Sequence, residues 1–262
     1  ADVTAATLSI TAPTATNKTY DGNNNITVSA GTLSGFVGSE TVTTTATGTT
    51  SDGNAGTGKS VTVVYNLADG TNGGLASNYA LANGSASVDI TPKALSITAP
   101  TAGDKNYDGD DTATISAGTL SGFVGAETVT ASATGQFNNA NAGNNKAVTV
   151  TYSLANGNGG GLASNYSLAS SSTTANISPL SLSISAPSAS NKTYDGLTTA
   201  TVTAGSLSGL VGSETLNVSA TGTFDTKNVG TGKSVNVAYT LSDGSNGGLA
   251  SNYALASGST TA

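Results

Sequence analysis

Lys59-Ser-Val-Thr-Val-Val-Tyr-Asn-Leu67 alternates apolar side chains with mostly polar ones. Successive side chains of a strand point to opposite faces, so this period predicts a strand with one buried and one wet face, as is typical of antiparallel sheets. The inward face is expected to carry Val61, Val63, Tyr65 and Leu67, packed with Ile10, Ile90, Tyr20 and Tyr79. We expect Thr62 and Asn66 to face water.

The same stretch recurs because the whole chain repeats every 87 residues. Tyr20, Tyr107 and Tyr194 each begin a Tyr-Asp-Gly, with no change of register between copies. A unit of this length can bury a modest core of its own, unlike the shorter repeats of solenoids. The sequence therefore predicts three domains, at residues 1–92, 93–179 and 180–262. Residues 1–5 match the tail of a preceding copy and the third domain lacks its closing strand, so we expect further copies on at least one side.

Each repeat has the features of an all-β domain. Five to seven strands are expected per repeat, separated by Gly, Asn, Asp and Ser clusters, and the Asp-Gly pair of Tyr-Asp-Gly is a tight-turn signal. Since no segment is typical of an amphipathic helix, we predict mainly antiparallel domains, β-sandwich or β-grasp-like. The junctions at Pro92 and Pro179 contain no Gly, and Pro restricts its own backbone and that of the preceding residue. Stiff junctions predict an extended rod.

Composition excludes several classes of function. The chain has eight Lys and Arg residues against fifteen Asp and Glu, a net charge of −7, and no Cys, His, Met or Trp. The usual ligands of zinc, copper, iron and haem are therefore missing. An acidic chain without Arg is a poor nucleic-acid partner, and no apolar run is long enough to span a membrane. We expect no catalytic residues, no cofactor, no metal and no enzymatic activity.

The recurring motif is the only candidate site. It comprises Lys18, Tyr20, Asp21, Gly22, Lys105, Tyr107, Asp108, Gly109, Lys192, Tyr194, Asp195 and Gly196. The tyrosines are expected in the core, and the alternative is a ring platform for sugars. The lysines are expected in exposed ion pairs, and the alternative is a Lys–Asn cross-link with Asn54 or Asn78, assisted by Glu40. A calcium site at Asp104, Asp108, Asp110 and Asp111 is disfavoured because the other copies do not preserve these carboxylates.

Several motifs in series resemble the YDG repeat domain. They are Lys18-Thr-Tyr20-Asp21-Gly22, Asn54-Ala-Gly56-Thr-Gly-Lys59 and Asn78-Tyr79-Ala-Leu81, each with copies 87 and 174 residues on. The resemblance covers essentially the whole chain, with Leu210 in place of Phe36 as a small departure. That family occurs in tandem arrays in large bacterial surface and secreted proteins, including filamentous-haemagglutinin-like adhesins. The resemblance implies an all-β stalk and no catalytic residues.

These features together predict a structural role outside the cell. We expect a stalk or spacer of a bacterial surface or secreted adhesin, which projects a distal binding domain and has adjacent copies of the same domain as partners. Host-cell, glycan or biofilm-matrix contacts would then belong to other parts of the protein. The alternative is a multivalent module in which each copy binds a glycan or partner weakly and repetition supplies avidity.

Overall fold

A computed structural model describes residues 1–256 and 258–261 as an all-β, mainly antiparallel chain. The first repeat contains β1 (Ala6–Thr7), β2 (Ser9–Ile10), β3 (Thr14–Ala15), β4 (Lys18–Thr19), β5 (Asn25–Ile26), β6 (Val28–Ser29), β7 (Leu33–Ser34), β8 (Val42–Thr49), β9 (Gly56–Asp69), β10 (Tyr79–Ala80) and β11 (Gly84–Thr91).

The second repeat has the same succession of elements. Its strands are β12 (Lys93–Ala94), β13 (Ser96–Ile97), β14 (Thr101–Ala102), β15 (Lys105–Asn106), β16 (Thr112–Ala113), β17 (Ile115–Ser116), β18 (Leu120–Ser121), β19 (Val129–Phe137), β20 (Gly143–Asn156), β21 (Tyr166–Ser167) and β22 (Ser171–Ser178).

The third repeat departs from this pattern in its first part, where β23 is one continuous strand and Lys192 and Thr193 are not in a strand, and at its closing end. Its described strands are β23 (Leu180–Ile184), β24 (Ser188–Ala189), β25 (Thr199–Ala200), β26 (Val202–Thr203), β27 (Leu207–Ser208), β28 (Leu216–Phe224), β29 (Ser234–Asp243), β30 (Tyr253–Leu255) and β31 (Gly258–Thr261).

A five-stranded sheet is the centre of each complete repeat. In the first repeat the order is β4-β11-β9-β8-β5, with β4 and β11 parallel and the other pairs antiparallel. The long strand β9 contains the alternating stretch and pairs with β8 and β11 on its two sides. The second repeat has the equivalent order β15-β22-β20-β19-β16.

Each complete repeat has eleven strands and not the expected five to seven. The difference arises because extended segments change partners along their length. In the first repeat β1 pairs with β10 and β2 with β7, while β3 pairs with β6. Leu8 separates β1 from β2 and is itself buried. One continuous extended segment is therefore divided into several two-residue strands.

The predicted orientation of the alternating strand is confirmed. Val61 and Val63 are fully buried, Tyr65 is buried and Leu67 is half-buried, whereas Thr62 and Asn66 are exposed. Their expected neighbours Tyr20, Tyr79 and Ile90 are buried and Ile10 is half-buried. These side chains form two clusters, however: Tyr79 packs with Leu8 and Val42, while Tyr20 and Ile90 pack with the valines of β9.

The described residues contain no α-helix. The described part of each repeat has a single 3₁₀ turn, at Ala76–Asn78, Ala163–Asn165 and Ala250–Asn252. The helix that a β-grasp domain packs on its sheet therefore has no counterpart in the described residues. In the same part of the chain, no helix is long and apolar enough to cross a membrane.

By its contacts the chain divides into two compact units, and each of them contains one junction between repeats. The first unit is Ala1–Thr98 with Thr119–Ser132 and Tyr152–Ala169. The second is Ala99–Gly118 with Ala133–Thr151 and Ser170–Ala262. The Tyr-Asp-Gly end of one repeat is thus grouped with parts of the following repeat, and these contacts define the candidate site.

Candidate functional site: the joint between successive repeats

The Lys-x-Tyr-Asp-Gly motif forms a tight turn held by its own charged residues. Lys18 Nζ lies 2.7 Å from Asp21 Oδ1, which also accepts a hydrogen bond from the Asn23 amide. The equivalent Lys–Asp distances are 2.8 Å in the second copy and 2.9 Å in the third. Gly22 has a φ of 82°, which glycine adopts without strain, as the Asp-Gly signal predicts. The charged pair and the glycine together fix the turn.

The tyrosine of this turn packs in its own repeat, and its hydroxyl contacts the next one. Tyr20 Oη donates a hydrogen bond of 2.6 Å to Glu127 Oε1 in the second repeat. The other oxygen of the same carboxylate accepts a hydrogen bond, also of 2.6 Å, from Tyr166 Oη. We call this arrangement the Glu–Tyr bridge. Because charge-assisted hydrogen bonds are about twice as strong as neutral ones, the bridge is a specific fastening between the copies.

The second junction has the same bridge one period later. Tyr107 Oη and Tyr253 Oη each donate a 2.6 Å hydrogen bond to Glu214, to Oε1 and Oε2 respectively. The bridge therefore recurs with the same atoms and the same distances.

Aromatic packing supports the bridge. The rings of Tyr20 and Tyr166 pack edge to face with centroids 5.6 Å apart, and those of Tyr107 and Tyr253 with centroids 5.3 Å apart. Such pairs contribute about 0.5–1.5 kcal/mol beyond their area of burial. Tyr20 is 5% exposed, so its ring is removed from water almost completely.

The turn glycine also makes room for the neighbouring repeat. A Cβ atom on Gly22 would lie 2.8 Å from Val124 Cγ1 of the second repeat. The equivalent atom on Gly109 would lie 2.9 Å from Val211 Cγ1 of the third. Real Cβ contacts are longer than this. Glycine is therefore required for two reasons, the positive φ and the close approach of the next repeat.

A buried asparagine adds a second fastening. Asn165 is fully buried, and its side chain donates to Asn54 Oδ1 at 2.9 Å and accepts from the Ala55 amide at 2.9 Å. Both partners belong to the first repeat. Asn252 makes the same two hydrogen bonds to Asn141 and Ala142 at the second junction, at 3.1 and 2.8 Å. An amide that stayed buried without these partners would cost about 1–3 kcal/mol, so the two hydrogen bonds fix each asparagine in one position against the neighbouring copy.

The linker between successive repeats is very short. Strand β11 ends at Thr91 in the sheet of the first repeat, and β12 begins at Lys93 beside β21 of the second repeat. Only Pro92 lies between them. Pro179 has the same place between Ser178 and Leu180. A flexible tether would be longer and rich in Gly and Ser.

The bridge changes the acidity of its tyrosines. Burial, and then the hydrogen bond to Glu127, raises the pKa of Tyr20 from 10.0 to about 12. Tyr107 has its pKa raised to about 12 by the same causes, with Glu214 as its partner. Both effects favour the neutral hydroxyl, which is the form that donates to the carboxylate. Tyr20 and Tyr107 are therefore neutral hydrogen-bond donors at physiological pH.

The third copy of the motif has no following repeat among the 262 residues, and its tyrosine behaves differently. Tyr194 is 59% exposed, whereas Tyr20 and Tyr107 are 5% and 4% exposed. The expectation of a core position is therefore wrong for Tyr194, because the partners that bury this tyrosine come from the next copy. Gly196 keeps a φ of 81°, although a Cβ atom at this position would meet no other atom within 4 Å.

The contacts of the buried motif residues do not match a sugar platform or a Lys–Asn cross-link. Tyr20, Tyr79 and Tyr107 are buried, so their rings present no face to a sugar, whereas the ring of Tyr194 is exposed. The Lys18 ammonium is bound by Asp21 and Asn23, and Glu40 accepts from Tyr79 Oη. Neither arrangement places Lys18 with the acid that a cross-link would use.

The acidic cluster of the second repeat is occupied by protein partners. Asp108 pairs with Lys105, and Asp104 accepts two hydrogen bonds from Asn176. Asp111 accepts from Gln136. Among the described residues, no group of three or more carboxylates, His or Cys is placed to bind a metal ion.

The joints explain why the same residues recur along the chain. The family model of the YDG domain matches residues 4–87, 91–175 and 178–262. The chain belongs to the YDG domain family. Its three tandem YDG domains follow one another with at most three unmatched residues between them, as the short junctions at Pro92 and Pro179 require. A comparison with curated proteins finds no match.

Sequence reasoning found the motif but not its partners. Glu127 and Asn165 recur at the 87-residue period, yet the period alone does not distinguish a partner in the same copy from one in the next. Their recurrence in every copy is the signal that the sequence offers for them.

Proposed function

We propose that these YDG domains are a structural stalk or spacer segment of an extracellular bacterial adhesin, surface-bound or secreted, which projects a distal binding domain. The observation that carries this proposal is the Glu–Tyr bridge. At each junction a tyrosine of one copy and a tyrosine of the next donate 2.6 Å hydrogen bonds to the same carboxylate, which is Glu127 at the first junction and Glu214 at the second. A spacer must keep its length, and specific contacts between successive copies support that role.

The joint resists bending through three kinds of contact. The bridge and the Asn165 amide are directional hydrogen bonds, and the packed tyrosine rings are a steric contact. Pro92 limits the backbone between them. A joint that moved freely would break all of these contacts.

The recurring charged side chains are already paired with other residues of the chain. The lysines of the motif pair with its aspartates, and the joint glutamates Glu127 and Glu214 accept hydrogen bonds from tyrosines. We therefore propose a protein without enzymatic activity, whose adhesive contacts reside in other parts of a longer polypeptide. Adjacent YDG domains are the partners of each copy.

Small-angle X-ray scattering on the chain tests the spacer proposal. A YDG domain of this size has a radius of gyration near ~12 Å, so three in a row should give a maximum dimension on the order of 100 Å. The matched variant is Pro92→Gly/Pro179→Gly, which we expect to shorten the average length and broaden the pair-distance distribution. A globular or folded-back parent chain would overturn the proposal, since such a chain cannot project a distal domain.

A further inference from the structure

The parallel strand pairs of a complete repeat join its beginning to its end. In the first repeat β1 pairs with β10, and β4 pairs with the closing strand β11, and both pairs are parallel. The second repeat has the same arrangement in β12–β21 and β15–β22. The other strand pairs described in these two repeats are antiparallel. Parallel pairing therefore occurs where an early segment of a repeat meets a late one.

The direction of pairing decides how a strand pair responds to tension along the chain. Tension pulls the early strand towards its N-terminus and the late strand towards its C-terminus. In a parallel pair these two loads act at opposite ends of the pair, so its hydrogen bonds are sheared and must break together. In an antiparallel pair the loads act at the same end, and the hydrogen bonds break one after another.

The antiparallel ladder between β9 and β11 is exposed to the second kind of loading. Ile90, next to the C-terminal end of β11, pairs with Gly56, where β9 begins. Tension on β11 therefore acts on this ladder from its Ile90 end. Strand β4 covers the same end, because Lys18 pairs with Ile90 and Thr19 pairs with Thr91. Unzipping of the ladder thus requires β4 to be sheared from β11 first.

Further hydrogen bonds hold the end of β11 against β4 and β9. The Tyr20 amide donates to the Thr91 carbonyl at 2.9 Å. The Asp89 amide donates to Asn17 Oδ1 at 2.9 Å, and the Asp89 carboxylate accepts the Gly58 amide at 2.7 Å. Since Asn17 and Tyr20 flank β4 directly, their hydrogen bonds extend the parallel contact on both sides.

The second repeat has the same contacts one period later. The Tyr107 amide donates to the Ser178 carbonyl at 2.8 Å, and the Asn176 amide donates to Asp104 Oδ1 at 2.7 Å. Ile177 lies between these two hydrogen bonds and is fully buried, and its counterpart Ile90 is buried as well. A buried apolar side chain excludes water from the hydrogen bonds beside it, which strengthens them.

The early strand of this contact is itself held firmly. Lys18 pairs with Asp21 in the turn that follows β4. The Tyr20 hydroxyl donates to Glu127 of the second repeat, while the amide of the same tyrosine donates to β11. One residue therefore links the joint between the repeats to the closing strand of the first repeat.

We propose that residues 17–20, with their counterparts 104–107, are a mechanical clamp that lets each complete repeat bear tension along the chain without unfolding. We call each of these segments the clamp strand. The closing strand stays in the sheet until its whole contact with the clamp strand is sheared. This inference rests on the proposed stalk, because a distal domain that adheres would pull on the stalk. The two are separable, however: a flexible chain of clamped repeats bears tension, whereas a stiff rod of weakly clamped repeats does not.

Single-molecule force spectroscopy on the 262-residue chain tests the clamp with two attachment geometries. The chain has no cysteine, so a pair of introduced cysteines determines where the two DNA handles are attached. Thr16→Cys/Thr91→Cys pulls the clamp strand and β11 in opposite directions and shears their contact. Thr43→Cys/Ala68→Cys pulls on register partners at the open end of the β8–β9 hairpin and unzips it. All four side chains are exposed.

At equal loading rates, the first geometry should require a severalfold higher force than the second to unfold the first repeat. The physical reason is that shearing breaks the hydrogen bonds together, whereas unzipping breaks them in succession. Forced unfolding is governed by the unfolding rate and not by the equilibrium stability, so two geometries can differ within one fold. Equal forces, or a lower force in the first geometry, would overturn the proposal.

Asn17→Ala distinguishes the clamp from general stability. It removes the acceptor of the Asp89 amide, and Asn17 is exposed, so the fold should tolerate the change. We expect a lower force in the Thr16–Thr91 geometry and an unchanged force in the Thr43–Ala68 geometry. An equal decrease in both geometries, or no decrease in the first, would contradict the clamp. Neither result alters the scattering that tests the length of the stalk, so the failure of one proposal can be told from the failure of the other.

Discussion

Removing one hydroxyl from the joint tests the Glu–Tyr bridge. Tyr20→Phe deletes the donor to Glu127 Oε1, at 2.6 Å, and keeps the ring that packs on Tyr166. Hydrogen bonds to charged groups contribute about 1.5–3 kcal/mol. Because Glu127 is only half-buried, water can partly replace the hydroxyl, and we expect a loss near the lower end, about 1–2 kcal/mol.

The effect is local, so hydrogen exchange is the suitable assay. The Ala55 amide crosses the joint to Asn165 Oδ1, and its exchange reports opening of the contact between the copies. A loss of about 1–2 kcal/mol should accelerate that exchange by about five- to thirtyfold. Tyr194→Phe is the matched control: the same substitution in the same motif, at an exposed ring, should leave the exchange unchanged. Equal effects of the two variants, or no effect of Tyr20→Phe, would refute the bridge as a fastening.

Three further predictions follow from individual contacts. The pKa of Tyr20 and Tyr107 is about 12 in the folded chain and 10.0 ordinarily, so these tyrosines ionise first in the unfolded chain. The free energy of unfolding should therefore fall between pH 10 and pH 12, by up to about 3 kcal/mol per tyrosine. Unfolding curves measured over this alkaline range test this, and a flat profile would contradict the assignment. Tyr65 Oη is buried without a hydrogen bond, so Tyr65→Phe should be neutral or stabilising in chemical denaturation, whereas Tyr65→Ala should cost about 3–5 kcal/mol; a clear loss with Phe would reveal a partner for the hydroxyl. Gly22→Ala should lower the melting temperature more than Gly196→Ala, because both have positive φ but only the former meets a neighbouring repeat, and equal shifts would argue against that contact.

The interior of each repeat could be predicted from the sequence because it obeys a local rule. Alternation along β9 identifies Val61 and Val63 as buried without any knowledge of their partners. The tight turn at Gly22 was predictable for the same reason, since it depends only on the conformational freedom of glycine. Local chemistry was sufficient in both cases.

The joint could not be predicted, because it depends on which copy supplies each partner. Tyr20 and Tyr79 recur at the same period, yet one donates to the glutamate of the following repeat and the other to Glu40 of its own repeat. Because the repeat period is exact, the sequence is equally compatible with a partner in the same repeat and one in the next. Only the approach of consecutive domains in space distinguishes them. The change of strand partner at Leu8 could not be predicted either, since the sequence of an extended segment does not indicate which strand it pairs with.

The central claim is that specific contacts hold successive YDG domains in a fixed relation, and a spin-label distance across one joint tests it most directly. The chain has no cysteine, so Thr43→Cys/Thr130→Cys introduces a single pair of labels, at exposed positions one period apart in adjoining repeats. Double electron–electron resonance should give one narrow distance distribution, which broadens when Glu127→Gln weakens the bridge. A broad distribution in the parent chain, unchanged by Glu127→Gln, would contradict the account.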